Sequence, residues 1–274
     1  MNRDEWQGRV GETWASQWRR TDRSFTVLTE RLLQRMREST FDEVLDVGCG
    51  AGELSLATAR GRPGVSITGV DVSPQLIAVA KERGSHLSNA RFLLADAAEW
   101  QSVDDTAPDM VVSRHGVMFF RDPPAAFANL AGQCRAGTSL LFSCFREASQ
   151  SAFFTEIIRL LPEAPPALDP HEPGPFAFAN QDRVRSILVS SGWESISFEK
   201  FDFPMIVGAG ANPVEDAVEY FSLIGPAARA ASEMDEGARD RFSNRVRNLC
   251  ERKCHQGIVA LEASAWIVSA RKAG

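Results

Sequence analysis

At 274 residues, 44% hydrophobic and 24% charged, the chain has the composition of a globular protein with ample apolar material for a core. Its formal net charge of −6, with no stretch dense in Lys and Arg, argues against a nucleic-acid partner, because a polyanion is held by a positive field. No run approaches the ~18 uninterrupted apolar residues of a membrane span, the N-terminus lacks a signal-peptide pattern, and five cysteines without a CxxC pair argue against a disulfide framework, so a cytoplasmic protein is expected.

The first forty residues read as helices. Trp6, Trp14 and Trp18 recur in a polar stretch, and Phe25, Leu28, Leu32, Leu33 and Met36 follow at helical spacing. From Phe41 the period changes: β-rich runs at 43–47, 66–72, 91–95, 109–113 and 138–145 alternate with helical segments at 52–60, 74–83 and 123–134. Such alternation predicts a parallel sheet covered on both faces. Ser73-Pro74 is a helix start, and Gly137 sits where a helix-to-strand turn wants positive φ. After Phe145 the rhythm breaks. A helix at 151–161 precedes a proline-rich irregular stretch at 162–175; Asn180 then caps a helix that Gly192 stops, and 195–203 alternates like a strand. Two apolar helical faces follow, through Val214, Ala217, Val218, Phe221 and Ile224 and through Ala238, Phe242, Val246, Leu249 and Cys250, before a strand at 265–270. One α/β domain over 1–274 is expected, with a core at 41–145, a helical cover at 1–40, and cap insertions at 146–179 and 208–257.

The most informative stretch is VLDVGCGAGE at 44–53, where a buried strand ends in a glycine turn that opens a helix. Glycines let the backbone bend sharply and approach a ligand without a Cβ in the way. A dinucleotide loop would want its third glycine one place later, where Glu53 stands, and a carboxylate there would repel a pyrophosphate. Asp46, at the strand end, suits a ligand bearing an ammonium group. Asp71 tips the second strand and can accept both hydroxyls of a ribose, and Asp96 ends the third, where it can bond an adenine amino group. The fourth strand ends Ser113-Arg114-His115-Gly116.

The segments VLDVGCGAG, TGVDVSP and LLADAAEW match, in order and spacing, the successive motifs of the class I S-adenosylmethionine-dependent methyltransferases, and the chain resembles that family over about 41–145. SRHGVMFFRDPPAAFANL, GRVGETW and DPHEPGPFAFAN further resemble a bacterial small-molecule subgroup related to ubiquinone and menaquinone C-methyltransferases. The resemblance implies a Rossmann-like seven-stranded α/β sheet of order 3-2-1-4-5-7-6, the last pair antiparallel, with helical cap insertions. It implies S-adenosylmethionine as cofactor and S-adenosylhomocysteine as product. It places Asp46, Gly48 and Gly50 at the methionine part, with Cys49 in the same loop. Asp71 would hold the ribose, Asp96 and Ala97 the adenine, Val72 and Leu76 the flat face of the ring, and the Ser113 backbone would face the amino group.

Methyl transfer from a sulfonium needs mainly positioning and exclusion of water, and a general base only if the nucleophile is protonated. His115, beyond the fourth strand, is the candidate base, against the plainer reading that it packs there. Arg114 is a candidate for a carboxylate on cofactor or substrate, or for a neighbouring acid. His171 and Phe176, in the proline-rich cover, are candidates to lie over the substrate, against the plainer reading of His171 as a surface-loop histidine, and Trp14 and Trp18 are candidates to wall the sulfonium, against simply burying their helices on the sheet. Cys250, Cys254 and His255 resemble metal ligands only superficially, because Cys250 and Cys254 extend an apolar stripe and read as core, so no metal is expected. The expected partner is a small, partly apolar acceptor methylated on O, N or C, with neither nucleic acid nor membrane span. The alternatives are an NAD-type oxidoreductase and a non-catalytic cofactor-binding protein of the same fold.

Overall fold

The structure is a computed structural model and describes residues 3–102, 106–163, 165–166 and 169–274. The chain opens with four helices, α1 (Arg3–Gln7), α2 (Arg9–Ser16), α3 (Trp18–Ser24) and α4 (Thr26–Met36). It then alternates through β1 (Glu43–Val47), α5 (Glu53–Gly61), β2 (Ser66–Asp71), α6 (Pro74–Gly84), β3 (Ala90–Leu94), β4 (Met110–Arg114), α7 (Pro123–Gly132) and β5 (Ser139–Phe145). Beyond these lie α8 (Ala152–Ile158), α9 (Gln181–Ser190), β6 (Trp193–Ala209), α10 (Pro213–Leu223), α11 (Ala228–Glu233), α12 (Glu236–Lys253), β7 (Cys254–His255) and β8 (Ile258–Lys272). Among the described residues no helix is long and apolar enough to cross a membrane.

The sheet order is β3-β2-β1-β4-β5-β8-β6, with β1 to β5 parallel and β8 antiparallel to both its neighbours. All seven residues of β5 are buried, as a strand covered on both faces requires. Local chemistry sets several joints. Ser73 Oγ accepts from Leu76 N ahead of Pro74, Asp122 accepts from Ala125 N ahead of Pro123, and Asn180 accepts from Arg183 N at 3.0 Å. Gly137 and Gly192 both take φ +82°, the left-handed conformation a side chain resists. On one face of the sheet Phe127, Phe142 and Phe178 meet, and buried Trp193 donates its Nε1–H to the Phe127 carbonyl at 3.1 Å.

The Rossmann-like α/β fold is as expected, with two differences in the strands. There are eight strands instead of seven, because the two-residue β7 folds back on the start of β8. The last two long strands also run well beyond 195–203 and 265–270: β6 has 17 residues and β8 has 15. Alternation persists into the upper half of β6, where Phe203, Met205 and Val207 are buried, but Pro204 interrupts the reading. Strand β6 lies at the edge of the sheet, the position in which a strand tolerates proline. Strand β5 pairs only with 265–271 of β8, so the upper halves of β6 and β8 rise as a two-stranded wall past the carboxyl ends of the parallel strands.

Helix α10 lies directly on this wall: a Cβ on Gly208 would collide with the Pro213 carbonyl oxygen and sit 2.8 Å from Ala217 Cβ. The N-terminal cover reaches the same wall. Arg23 of α3 donates to the Ile206 and Val207 carbonyls at 3.2 and 2.8 Å, and Arg20 and Arg23 both pair with Asp216 of α10. The carboxyl end of the parallel strands is therefore roofed by cover and cap together. Residues 164 and 167–168 of the expected proline-rich loop lie outside the described residues; its described residues form neither helix nor strand. Trp193→Ala should remove about 3–5 kcal/mol of stability through the cavity and the lost indole hydrogen bond, read as a lowered urea midpoint at an unchanged slope; an unmoved midpoint would refute this account of the packing.

Candidate functional site

In the sheet order, β1 leads off to β2 on one side and β4 to β5 on the other, so a crevice opens between the carboxyl ends of β1 and β4. The glycine turn fills its floor. Gly48, Gly50 and Gly52 take φ of +66°, +55° and +86°, and the N–H groups of Gly48 and Cys49 both donate to Val70 O at 2.9 and 3.0 Å. A Cβ on Gly48 would lie 2.7 Å from Gly116 Cα, and one on Gly116 would lie 2.6 Å from Val47 O. The two loops touch backbone to backbone there. Ser113 seals the joint, donating to Val47 O at 2.7 Å and accepting from Gly116 N at 3.1 Å. By contrast, a Cβ on Gly50 would meet nothing within 4 Å.

Three acids follow along the strand ends. Asp71 accepts from Gly50 N through Oδ2 and from Ser73 N through Oδ1, each at 2.9 Å. Burial raises its pKa, and the N–H groups of Ser73, Gly50 and Val72 oppose the rise. Asp46 is 1% exposed and accepts a 2.6 Å bond from Ser55 Oγ on α5; burial pushes it up to about 6 against the pull of Ser55 and Arg114. Asp96 accepts from Ala98 N at 2.9 Å beside buried Ala97, and Arg3 lies 3.3 Å from it. Leu76 is buried with Ala15 and Ala51 beneath Trp6, Trp14 and Trp18, and Val72 is half-buried between Asp71 and Ser73. Within the turn the Cys49 thiol reaches only the Gly50 carbonyl, at 3.7 Å. It packs with Leu56, Ile77, Ala80 and Phe92, and burial holds it well above its usual pKa.

The cover closes over these residues. Gly11 of α2 approaches Ser73 so closely that a Cβ would collide with its hydroxyl, and Trp6 packs edge-on against Trp14 at 5.3 Å and Phe119 at 5.2 Å. A half-buried ionic knot lies behind them. Arg83 donates to Ala51 O at 2.7 Å and pairs with Glu53 and Asp22, each at 2.8 Å, while Arg114 bonds Thr29 Oγ1 at 2.7 Å and lies 3.6 Å from Asp22. Burial pushes Asp22 up to about 6. For Glu53, burial acts upward, but the hydrogen bond with Asp22 and the guanidiniums of Arg114 and Arg83 bring it below its usual value. Glu53 is thus committed to Arg83, which removes the charge repulsion expected to disfavour a pyrophosphate. Trp18 differs from expectation too: the Arg83 and Arg19 guanidiniums stand 3.8 and 4.3 Å over its ring, so its faces are taken by cations of the protein itself.

On the far side of the crevice, His115 takes φ +65° and is 7% exposed. Its ring lies 4.1 Å from that of Phe145 at 31° and edge-on to Phe25 at 5.3 Å, and an aromatic chain continues from Phe145 through Phe154 to Phe176. Burial drops its pKa to about 3, opposed by the Ser143 carbonyl and helped by Arg114, so the imidazole is neutral and weakly basic. That is unfavourable for the base expected there. His171 takes the plainer of its two readings, that of a surface-loop histidine. It is exposed, 3.0 Å from Arg183 through Nδ1, and Asp169 receives its backbone N–H; the proline-rich segment carries Phe176 inward and leaves His171 outside. Cys250 is buried beside Val246 and Leu249, the apolar stripe its spacing suggested. Ser143, Asp22 and Phe25 belong to the site without a local signal, since each arrives from an element distant in the chain.

Residues 44–137 match the family described as Methyltransferase domain. A segment of 105 residues is 34% identical to trans-aconitate 2-methyltransferase of Delftia acidovorans, covering 36% of this chain and 38% of that one. Another of 124 residues is 34% identical to malonyl-[acyl-carrier protein] O-methyltransferase of a Marinomonas species, covering 45% of each. The matches span less than half the length of these curated relatives. Phosphoethanolamine N-methyltransferase 2 of Haemonchus contortus, solved with S-adenosyl-L-methionine, superposes with a TM-score of 0.58 at 16% identity, over 99% of this chain and 60% of that one, a likeness of fold.

Raising a buried acid from 3.8 to about 6 has a defined consequence. Between those values the folded chain holds more protons than the unfolded one, so stability falls as pH rises through the window and is level above it. Asp46→Asn, which keeps an acceptor for Ser55, should weaken that fall and add roughly 1–3 kcal/mol near neutral pH. Denaturation measured across the window would contradict this if the variant kept the wild-type slope.

Proposed function

We propose that the chain transfers a methyl group from S-adenosylmethionine to a small acceptor by in-line displacement. The observation that carries this reading is Asp71, fixed at the tip of β2 by N–H groups from the glycine turn and from the start of α6. With one donor on each oxygen, the carboxylate is rigid and keeps lone pairs for the two hydroxyls of a ribose. The surrounding donor set fits the rest of the cofactor. Asp46 is a buried acid at the end of β1 whose charge suits a nearby cation, and the open side of Gly50 leaves room beside the turn. Leu76 and Val72 present apolar surface for a flat base, and Asp96 with Ala97 borders it.

When bound, the sulfonium supplies an already activated methyl group. The residues of the chain then orient and exclude water. The glycine turn and Asp71 hold the donor, while Trp6, Trp14 and Phe119 shield it from solvent, and a water-poor crevice strengthens every polar contact within it. Rings around His115 give the acceptor side an apolar lining. The methyltransferase-domain match over 44–137 supports the reaction class, and the phenylalanines of the cap, Phe153, Phe154, Phe176 and Phe178, support a partly apolar acceptor, with carbon, oxygen or nitrogen as nucleophile.

Calorimetric titration with S-adenosylhomocysteine tests the reading. Wild-type protein should bind in the micromolar range, and Asp71→Ala should weaken binding about 100-fold, the scale of two hydrogen bonds to a charged group. Absence of heat and of thermal shift in folded protein would sink the proposal and make NAD the next ligand to try.

A further inference from the structure

His115 carries a buried polar atom that the fold itself does not satisfy: Nε2 has no hydrogen-bond partner among the described residues. Its other nitrogen, Nδ1, lies 3.2 Å from Ser143 Oγ, a fully buried hydroxyl on β5. That hydroxyl has no other hydrogen-bond partner among the described residues, which makes the proton count decisive. If Nδ1 carried the ring proton and donated to Ser143, the hydroxyl proton of Ser143 and the Nε2 lone pair would both be stranded in the interior. If Ser143 donates to Nδ1, the hydroxyl is satisfied and a single group, Nε2–H, is left over. Buried donors without partners are rare and costly, so the second arrangement is favoured. The Ser143 carbonyl, which takes the backbone N–H of His115 at 3.2 Å, has a second lone pair that Nδ1–H could use, but that arrangement also strands the Ser143 hydroxyl proton and the Nε2 lone pair.

The geometry points to His115 as an N–H donor that grips one oxygen atom of a flat, uncharged acceptor, with Ser143 as the positioning residue that sets its tautomer. This rests on the methyl-transfer reading for the reaction served, and it replaces the expected role of base: a nitrogen that already bears the proton receives none. Burial, which keeps the imidazole neutral, agrees with it. Flatness follows from the rings of Phe25 and Phe145 that bound the imidazole, with Phe203 6.5 Å from Phe25. Neutrality follows from the committed cations. Arg114, 5.3 Å over Phe25, is held by Thr29 and Asp22, and Arg23 by Asp216 and two strand carbonyls. A carboxylate brought to His115 would lose its hydration without gaining a counter-charge. A carbonyl or other neutral oxygen supplies the missing acceptor at no such cost, and a site built around one donor rejects analogues that lack the matching atom.

Long-range proton–nitrogen correlation spectra of the full chain, labelled with nitrogen-15 histidine, read the tautomer directly, with His115→Phe identifying the signals. Nε2 should be proton-bearing and Nδ1 pyridine-like throughout about pH 5 to 8, the range in which an ordinary histidine titrates. In Ser143→Ala the ring should stay neutral but lose its single tautomer. A proton on Nδ1 in the wild type, or titration inside that range, would overturn the assignment without recourse to any variant. Matched naphthalenes, titrated in the presence of S-adenosylhomocysteine, then test recognition. The wild type should bind 2-acetylnaphthalene about tenfold more tightly than 2-ethylnaphthalene, the scale of one hydrogen bond to a buried donor, and more tightly than 2-naphthoate; His115→Phe should erase the advantage of the ketone. Equal binding of the three probes by protein that binds S-adenosylhomocysteine refutes this inference alone, whereas failure to bind S-adenosylhomocysteine refutes the methyl-transfer reading and leaves the tautomer measurement to decide the role of His115.

Discussion

The backbone contact between Gly48 and Gly116 is the constraint on which the rest of the site depends. Two strands that lead off in opposite directions leave a crevice at their carboxyl ends, and its floor is as low as the two loops can approach. Here the approach is limited by bare backbone, since a Cβ on either glycine would collide with the other loop. The contact aims the turn so that Gly50 N–H meets Asp71, and the left-handed Gly52 then starts α5, from which Ser55 reaches back to Asp46. It also throws the chain after β4 into the conformation that turns His115 toward Ser143. The glycine turn with its acids and the aromatic surroundings of His115 are therefore two consequences of one joint.

Around that joint the protein spends stability on charge. Asp22 and Asp46 are both carboxyls lifted by burial, each answered by only part of the hydrogen bonding or counter-charge that would restore its ordinary pKa. The cost is shared across layers: Arg83 and Arg114 tie Asp22 of the cover to Glu53 of the glycine-loop helix. The wall formed by β6 and β8 completes the enclosure, because Arg20 and Arg23 fasten the same cover to Asp216 of the cap. Cover, loop and cap thus form one electrostatic unit around an aromatic interior, an arrangement suited to keeping water from a reaction that needs little chemical assistance.

Much of this was legible in the amino-acid sequence by itself, and for local reasons. The glycine turn, the acids at the strand ends, the Ser73-Pro74 helix start and the left-handed Gly137 and Gly192 each depend on a few consecutive residues whose backbone preferences are strong. The alternation of apolar runs with helical segments determined a parallel sheet, and the motif series determined its order. What only the tertiary structure decided are the pairings between distant segments: Ser143 with His115, Asp22 with Arg83, Gly48 with Gly116, and the outward placement of His171. Neither the tautomer of His115 nor the neutralisation of Glu53 has a local signature. Both follow from burial and from which donor happens to lie 3 Å away, and those quantities exist only once the chain has folded.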